Sequence, residues 1–288
     1  MEAIFFAIIA YLTWGSGVFA ETIVARKLSS YSLLFWSFLL SFLVTSLYIP
    51  FAIHDLANLT VGLFTFNLLL ALMSILLGTL FYYEALKIET RALVGTIASS
   101  FPFVTVVLSI LFLGERVTSQ QLIAIIIVLG GLFLSIFDIG EVRNKNFKSR
   151  KGLFFAVMAM VMWGSWFAFI KYPVDQIGWF WPNYIAFLTF PLIFILLKLR
   201  GQKLEKVTQN NALAPFLIST ILVRIAEFSY NLGISKGLVA IVAPIAGANP
   251  TLFVVLAFLF LKDPIKKQQL IGIFVTLFGI ILLSIFAV

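Results

Sequence analysis

The chain contains no cysteine. That absence removes disulfides, thiolate metal sites and cysteine nucleophiles, and it leaves the redox compartment unreadable. Histidine is nearly absent as well: the single one, His54, falls in a loop between apolar segments. No metalloprotease HExxH, GxSxG elbow, Walker loop or dinucleotide fingerprint stands in a matching context. The sequence therefore points to no metal, no cofactor and no soluble enzyme. Without a phosphate-cradling loop, any uphill work must draw on a gradient and not on ATP. Charge is the third shortage. Asp, Glu, Lys and Arg make up 11% of the 288 residues, against about 25% in an ordinary soluble domain.

What is present is apolar. Hydrophobic residues reach 62%, including 32 Phe, a surface that water would not tolerate and lipid tails solvate directly. About 20 apolar residues span the hydrocarbon core as a helix, and the chain offers ten such segments: 3–25, 31–53, 64–86, 92–113, 120–137, 152–171, 179–198, 213–235, 237–261 and 268–288. The runs are continuous and not alternating, which excludes a barrel. The first has no basic leader and no small-residue cleavage site, so it reads as a span and not as a removable signal. The expected fold is an all-α integral, multi-pass protein of the cell or plasma membrane. The +8 formal charge lies between the apolar runs, where it sets orientation and does not imply nucleic acid.

The most polar stretch, 138–151, divides the chain nearly in half. On either side the same signals recur. Trp14-Gly15-Ser16 matches Trp163-Gly164-Ser165, Pro102 matches Pro250, Gln120-Gln121-Leu122-Ile123 matches Gln268-Gln269-Leu270-Ile271, and Gly131 matches Gly279, all at an offset of 148 or 149 residues. A collinear set at one offset marks an internal repeat. The expected organisation is a five-helix repeat over 1–140, a polar connector over 141–151 and a second five-helix repeat over 152–288. An odd number of spans per unit inverts the second copy in the membrane, the arrangement of many secondary transporters.

The residues that repeat also carry a family resemblance. Trp14-Gly15, Ala85-Leu86, Pro102 with its apolar run and Leu113-Gly114-Glu115 recur as Trp163-Gly164, Gly233-Ile234, Pro250 and Leu261-Lys262-Asp263. In this order and spacing, over its whole length, the chain resembles the EamA type of the drug/metabolite transporter superfamily. The second turn departs from the pattern, with Lys262-Asp263 in place of Gly-Glu. The resemblance implies ten helices around a central cavity, transport of small metabolites, often outward, and both termini in the cytosol. The charge distribution implies the opposite orientation. Sixteen of the 20 Lys and Arg flank one side, and Arg116, Lys171 and Lys236 the other; the positive-inside rule then places the termini outside. The sequon Asn58-Leu59-Thr60 lies on the basic-poor side.

Ionisable groups inside spans are costly, about 2.5–3.5 kcal/mol each at mid-helix on insertion scales, and so mark function. Arg224 and Glu227 share one face of the eighth span, and Tyr230 and Asn231 continue it; the functional reading is a site for a charged or zwitterionic ligand, the structural one a self-neutralising pair. Glu21 lies two turns after Trp14. A carboxyl group withdrawn from water holds a proton more readily, which makes Glu21 the proton-coupling candidate; pairing with Arg26 or Lys27 is the structural alternative. Glu84 beside Lys87 reads as a surface pair, and Lys171 as a snorkelling lysine or an anion ligand. Trp14, Trp163 and Trp166 are mid-span and suit a cavity wall or interhelical packing, whereas Trp179 and Trp181 read as interfacial belt residues. Pro102 and Pro250 break their spans and are the gating candidates, with Pro244 nearby. Asn249 is the candidate ligand contact among them.

The leading expectation is a secondary transporter, an exporter of small organic metabolites such as amino acids, working by alternating access. Its partners are a small-molecule substrate and the lipid bilayer, with no nucleic acid, and it acts as a monomer or a homodimer. The alternatives are an anion or phosphate-ester exchanger built on Lys171 and Arg224, and a non-transporting membrane protein. An intramembrane enzyme would need clustered acid, base or nucleophile near one interface, and the sequence offers none.

Overall fold

The computed structural model describes residues 1–89, 91–136 and 150–287. Ten helices are long and apolar enough to cross a membrane: α1 (Glu2–Ala25), α2 (Ser30–Asn58), α3 (Val61–Ile88), α4 (Leu93–Phe112), α5 (Ser119–Ile136), α6 (Arg150–Ile177), α7 (Trp181–Leu199), α8 (Leu213–Lys236), α9 (Val239–Leu261) and α10 (Lys267–Phe286). No strand occurs among the described residues. The ten expected spans are all present. α2 and α6 run several residues beyond their expected ends, because short helical turns continue past the apolar core into Ile53–Asn58 and Lys171–Ile177. Of the expected polar connector, 141–149 lie outside the described residues; its last two, Arg150 and Lys151, begin α6 instead.

The prolines decide where helices break. α4 is interrupted at Ser100 and restarts at Phe101–Phe112 with Pro102 in the first turn. α9 is interrupted at Ala248 and restarts at Asn249–Leu256 with Pro250 in the first turn. α7 restarts at Phe190 with Pro191 placed the same way. In each case the missing N–H falls where a helix start would leave it unpaired in any case. α3 carries a different irregularity, a wide π-turn over Leu72–Gly78, a feature common beside functional sites.

The packing follows one pattern twice. α1 runs along α8 and α9, and α6 runs along α3 and α4, while α5 pairs with α10, α2 with α7 and α4 with α9. Advancing each helix by five positions reproduces the same set. Close approaches obey the same correspondence. A Cβ on Gly15 would meet Leu252 Cβ at 2.8 Å and the Asn249 carbonyl at 3.0 Å; on Gly164 it would meet Val104 Cβ at 2.6 Å and the Phe101 carbonyl at 3.0 Å. Both contacts are equivalents at the repeat offset. Small residues at such seams let helix backbones approach where no hydrophobic force draws them together. The outer surface is apolar, with Phe5, Leu12, Phe103, Leu111, Ile126, Phe274 and Ile281 exposed, as a lipid-facing surface requires.

The turns after α4 and α9 differ in sequence and keep one geometry. Gly114, after α4, has φ +68°, and Lys262, after α9, has φ +61°. The following amides reach back alike, Glu115 N–H to the Ser109 carbonyl and Asp263 N–H to the Ala257 carbonyl. A left-handed conformation costs an L-residue about 1–2 kcal/mol, so Lys262 is strained where Gly114 is not. Lys262→Gly should therefore raise thermal stability in detergent by up to about 1 kcal/mol. Unchanged or lower melting temperature would show that the lysine side chain compensates for its backbone.

Candidate functional site

A cavity of about 580 Å³ lies between the two halves. Its inner wall is mid-membrane: Trp14 of α1, Phe101 of α4, Trp163 and Phe167 of α6, Asn249 and Pro250 of α9. From there it extends to Thr22, Ile136 and Gln269, at the α1, α5 and α10 ends on the basic-loop side. Trp163 and Phe167 also line a second cavity of about 260 Å³, shared with Trp166, Asn183, Phe187, Arg224 and Glu227. A third space of about 50 Å³ lies between Glu21 and Arg224. Glu21 also borders the large cavity, so the three ionisable groups are linked through adjoining voids.

α8 sets the charges in place. The i, i+3 spacing brings Arg224 Nη1 within 2.8 Å of Glu227 Oε2, with side chains only 13% and 22% exposed. The contact is a close ion pair, and Nε is buried without an acceptor. The guanidinium packs against a T-shaped pair of aromatic rings, 5.4 Å from the Phe38 centroid and 4.9 Å from that of Phe187. Desolvated cation–π contacts of this kind contribute about 2 kcal/mol, comparable to the cost of placing the cation in the span. Two carboxylates, Glu21 and Glu227, thus face one guanidinium.

The structure sorts the expected residues. Trp14, Glu21, Trp163 and Asn249 line the large cavity, where Asn249 Nδ2 also donates to the Ala246 carbonyl at 3.2 Å. Trp166, Arg224 and Glu227 line the smaller one. Tyr230 and Asn231 line neither. The Tyr230 hydroxyl donates to the Phe167 carbonyl at 2.6 Å, and Asn231 Nδ2 donates to the Trp179 carbonyl at 2.9 Å, since the turn beyond Glu227 faces α6 and the α6–α7 junction. Pro250 borders the large cavity, while Pro102 is packed directly against Gly247. Glu84 pairs with Lys87 at 2.7 Å and Arg200 at 3.1 Å. Lys171 is held by Asp175 at 2.7 Å and the Ile234 carbonyl at 2.8 Å. Trp181 is not a belt residue: it is buried and donates to the Ala52 carbonyl at 2.8 Å. Asn183, Phe167 and Tyr82 are cavity residues that the sequence reading passed over.

The opposite end is shut. Ile4, Ala7, Tyr11, Val106, Ile170 and Val239–Ala248 form a continuous buried cluster there. Glu115, in the α4–α5 turn, seals it by accepting the Val239 amide on Oε1 at 2.7 Å and the Ala240 amide on Oε2 at 2.8 Å. A carboxylate on two free amides at a helix start combines charge-assisted hydrogen bonds with the favourable end of the dipole.

This architecture has relatives. A solved crystal structure superposes with a TM-score of 0.83, covering 99% of this chain and 97% of its own at 17% identity, a likeness of fold alone. An uncharacterized transporter of Archaeoglobus fulgidus is 25% identical over 246 residues, 83% of each chain. An uncharacterized protein of Methanocaldococcus jannaschii is 35% identical over 137 residues, which are 46% of this chain and 93% of that one, so a protein the size of one half occurs by itself. The sequence profile of the EamA-like transporter family matches twice, over residues 1–137 and 150–285, one match for each half. The chain is an integral, multi-pass membrane protein that belongs to the EamA-like transporter family, within the drug/metabolite transporter superfamily.

Proposed function

We propose that this transporter is a gradient-driven exporter of small organic metabolites such as amino acids, working by alternating access. The observation that carries the proposal is the group of Glu21, Arg224 and Glu227 beside cavities that lie between the halves and extend to one face. Ionisable residues at such a depth mark substrate and ion pathways. The aromatic walls of Trp14, Trp163 and Trp166 suit flat or cationic groups. Under the positive-inside rule the cavity opens to the cytosol and the Glu115 seal lies outside, the loading state of an exporter.

The repeat supplies the second state. The equivalent of Glu115 is Asp263, and the equivalents of Val239 and Ala240 are Arg91 and Ala92 at the start of the α4 segment. All of these lie on the open side. Pro102 packs on Gly247, whereas their equivalents Pro250 and Ser99 both border the cavity. Exchanging the two sets of contacts closes the cytosolic face and opens the other, with Asp263 taking the α4 amides as Glu115 now takes those of α9.

Three outcomes test this reading. First, a cysteine at position 7, buried in the sealed half, should react with an impermeant maleimide about tenfold faster in Glu115→Gln than in the parent, since one lost charge-assisted bond of about 1.5 kcal/mol shifts the populations by about that factor. Asp263→Asn should slow that labelling; acceleration by both substitutions would sink the exchange of seals. Second, Arg224→Ala and Glu227→Ala should each abolish flux in proteoliposomes, with loss of folding as a confounder because an orphaned buried charge costs about 3–5 kcal/mol. The double Ala variant removes both charges and should fold without transporting; normal transport by it makes the pair structural. Third, Glu21→Gln should lose accumulation driven by an imposed pH gradient yet keep substrate-for-substrate exchange. Gradient-driven accumulation that survives Glu21→Gln, or parent flux that ignores the gradient, removes proton coupling through Glu21.

A further inference from the structure

We infer that the smaller cavity is a carboxylate subsite, with Arg224 and Asn183 as its donors, and that its ligand is the headgroup of a zwitterionic amino acid. The inference rests on the carrier reading above and narrows it to one chemistry.

The starting point is what the cavity leaves unpaired. Arg224 Nε and Asn183 Nδ2 are buried without a hydrogen-bond acceptor, Arg224 Nη1 being held by Glu227, and both residues line the same 260 Å³ space. Asn183 is 3% exposed, on α7, while Arg224 is on α8. More than about nine-tenths of buried polar groups in native proteins have partners, and each orphan costs about 1–3 kcal/mol. Two helices that bring orphans to one cavity share one missing partner. Every orphan there is an N–H group, so the missing partner is an acceptor.

Geometry and charge narrow its identity. Phe38 and Phe187, whose own centroids are 5.6 Å apart, crowd one side of the guanidinium at 5.4 and 4.9 Å, and the Nε–H that lacks a partner is a donor a planar carboxylate can take. Glu227 borders the same space and offers a carboxylate to an ammonium. A lone anion added to the neutral Arg224–Glu227 pair would leave the cavity negatively charged, and a dianionic phosphate would leave it more so. A zwitterion adds no charge and answers both sets of groups. The cavity is small for a whole ligand, below the roughly 300–1,000 Å³ usual for binding pockets. It fits a headgroup, with the remaining side chain passing Trp163 and Phe167, which line both spaces, into the larger cavity.

The test uses the full chain in detergent and in proteoliposomes. The probes are neutral L-amino acids, each compared with its carboxamide and with the amine that lacks the carboxylate. At least one amino acid should stabilise the parent protein against heat and be transported, with apparent affinity tenfold or more above its carboxamide. Asn183→Leu removes the donor at similar volume and should weaken the amino acid far more than its carboxamide, so that the ratio between them falls towards one. Asn183→Asp keeps the shape and should reverse the preference by repelling the carboxylate; it also serves if the leucine variant fails to fold. Equal binding of acid and carboxamide, or a preference that survives both variants, overturns the subsite. Flux of amines and carboxamides alone overturns the subsite and leaves the carrier standing. Flux of no compound tested overturns both.

Discussion

Hydrocarbon supplies no hydrogen bonds, so each polar group in the membrane-spanning part of this chain depends on a partner within the protein. Most of the hydroxyls meet that demand locally. Thr13 donates to the Ile9 carbonyl at 2.7 Å, Ser41 to Ser37 at 2.6 Å, Ser165 to Val161 at 2.8 Å and Thr276 to Gly272 at 2.8 Å. Larger polar side chains bond across helices instead: Asn67 Nδ2 to the Pro182 carbonyl at 3.0 Å, Trp181 to Ala52, Tyr230 to Phe167 and Asn231 to Trp179. Against that economy the exceptions concentrate. Apart from Asn67 Oδ1, the buried orphans among the described residues are Asn183, Thr220 and Arg224, and all three border the linked voids around the charged group. A protein that satisfies nearly everything else leaves open the groups a ligand would occupy.

The same constraint explains why a repeated sequence adopts an asymmetric arrangement. Helices α4 and α9 meet through their broken segments, and each end of that meeting can be sealed by a carboxylate on the other's first amides. Glu115 seals one end now. If both ends were sealed, the charged group would be locked away from either solution; if neither were, the two halves would lose the contacts that join them. In the proposed exchange the alternative contacts would join equivalent residues, and a ligand or a proton that binds one arrangement better would shift the balance towards it.

Much of this was legible in the sequence, and for a definite reason. Continuous apolar runs fix the number of spans, and a common offset between Trp14 and Trp163, Pro102 and Pro250 marks the repeat without any structure. The Arg224–Glu227 face was legible because residues three apart on a helix share a side. What escaped was direction between helices. Tyr230 and Asn231 stand one turn beyond Glu227 on the same face, yet that turn meets α6 carbonyls and the α6–α7 junction instead of a cavity. Asn183 was hidden just after Trp179 and Trp181, which read as membrane-interface belt residues; only the fold turns this segment inward, burying Phe180, Trp181 and Phe187. An asparagine within an apolar span was the one signal available. The seal at Glu115 was visible only as a motif, since its partners lie 124 and 125 residues away.

The charge arithmetic carries the mechanism one step further. With all three groups ionised, Glu21, Arg224 and Glu227 sum to one negative charge, and low-dielectric surroundings penalise that surplus whenever the site is cut off from solution. The surplus vanishes when one carboxylate holds a proton. A zwitterionic ligand brings its ammonium to the carboxylates and its own carboxylate to Arg224, so it leaves the sum unchanged and still needs that proton or displaces it to a neighbouring group. By charge alone the site is then ready to change faces once it holds a proton, with or without a zwitterionic ligand. Coupling the two would therefore rest on how the ligand's ammonium competes with the proton for the same carboxylates, Glu21 and Glu227, and not on the charge sum.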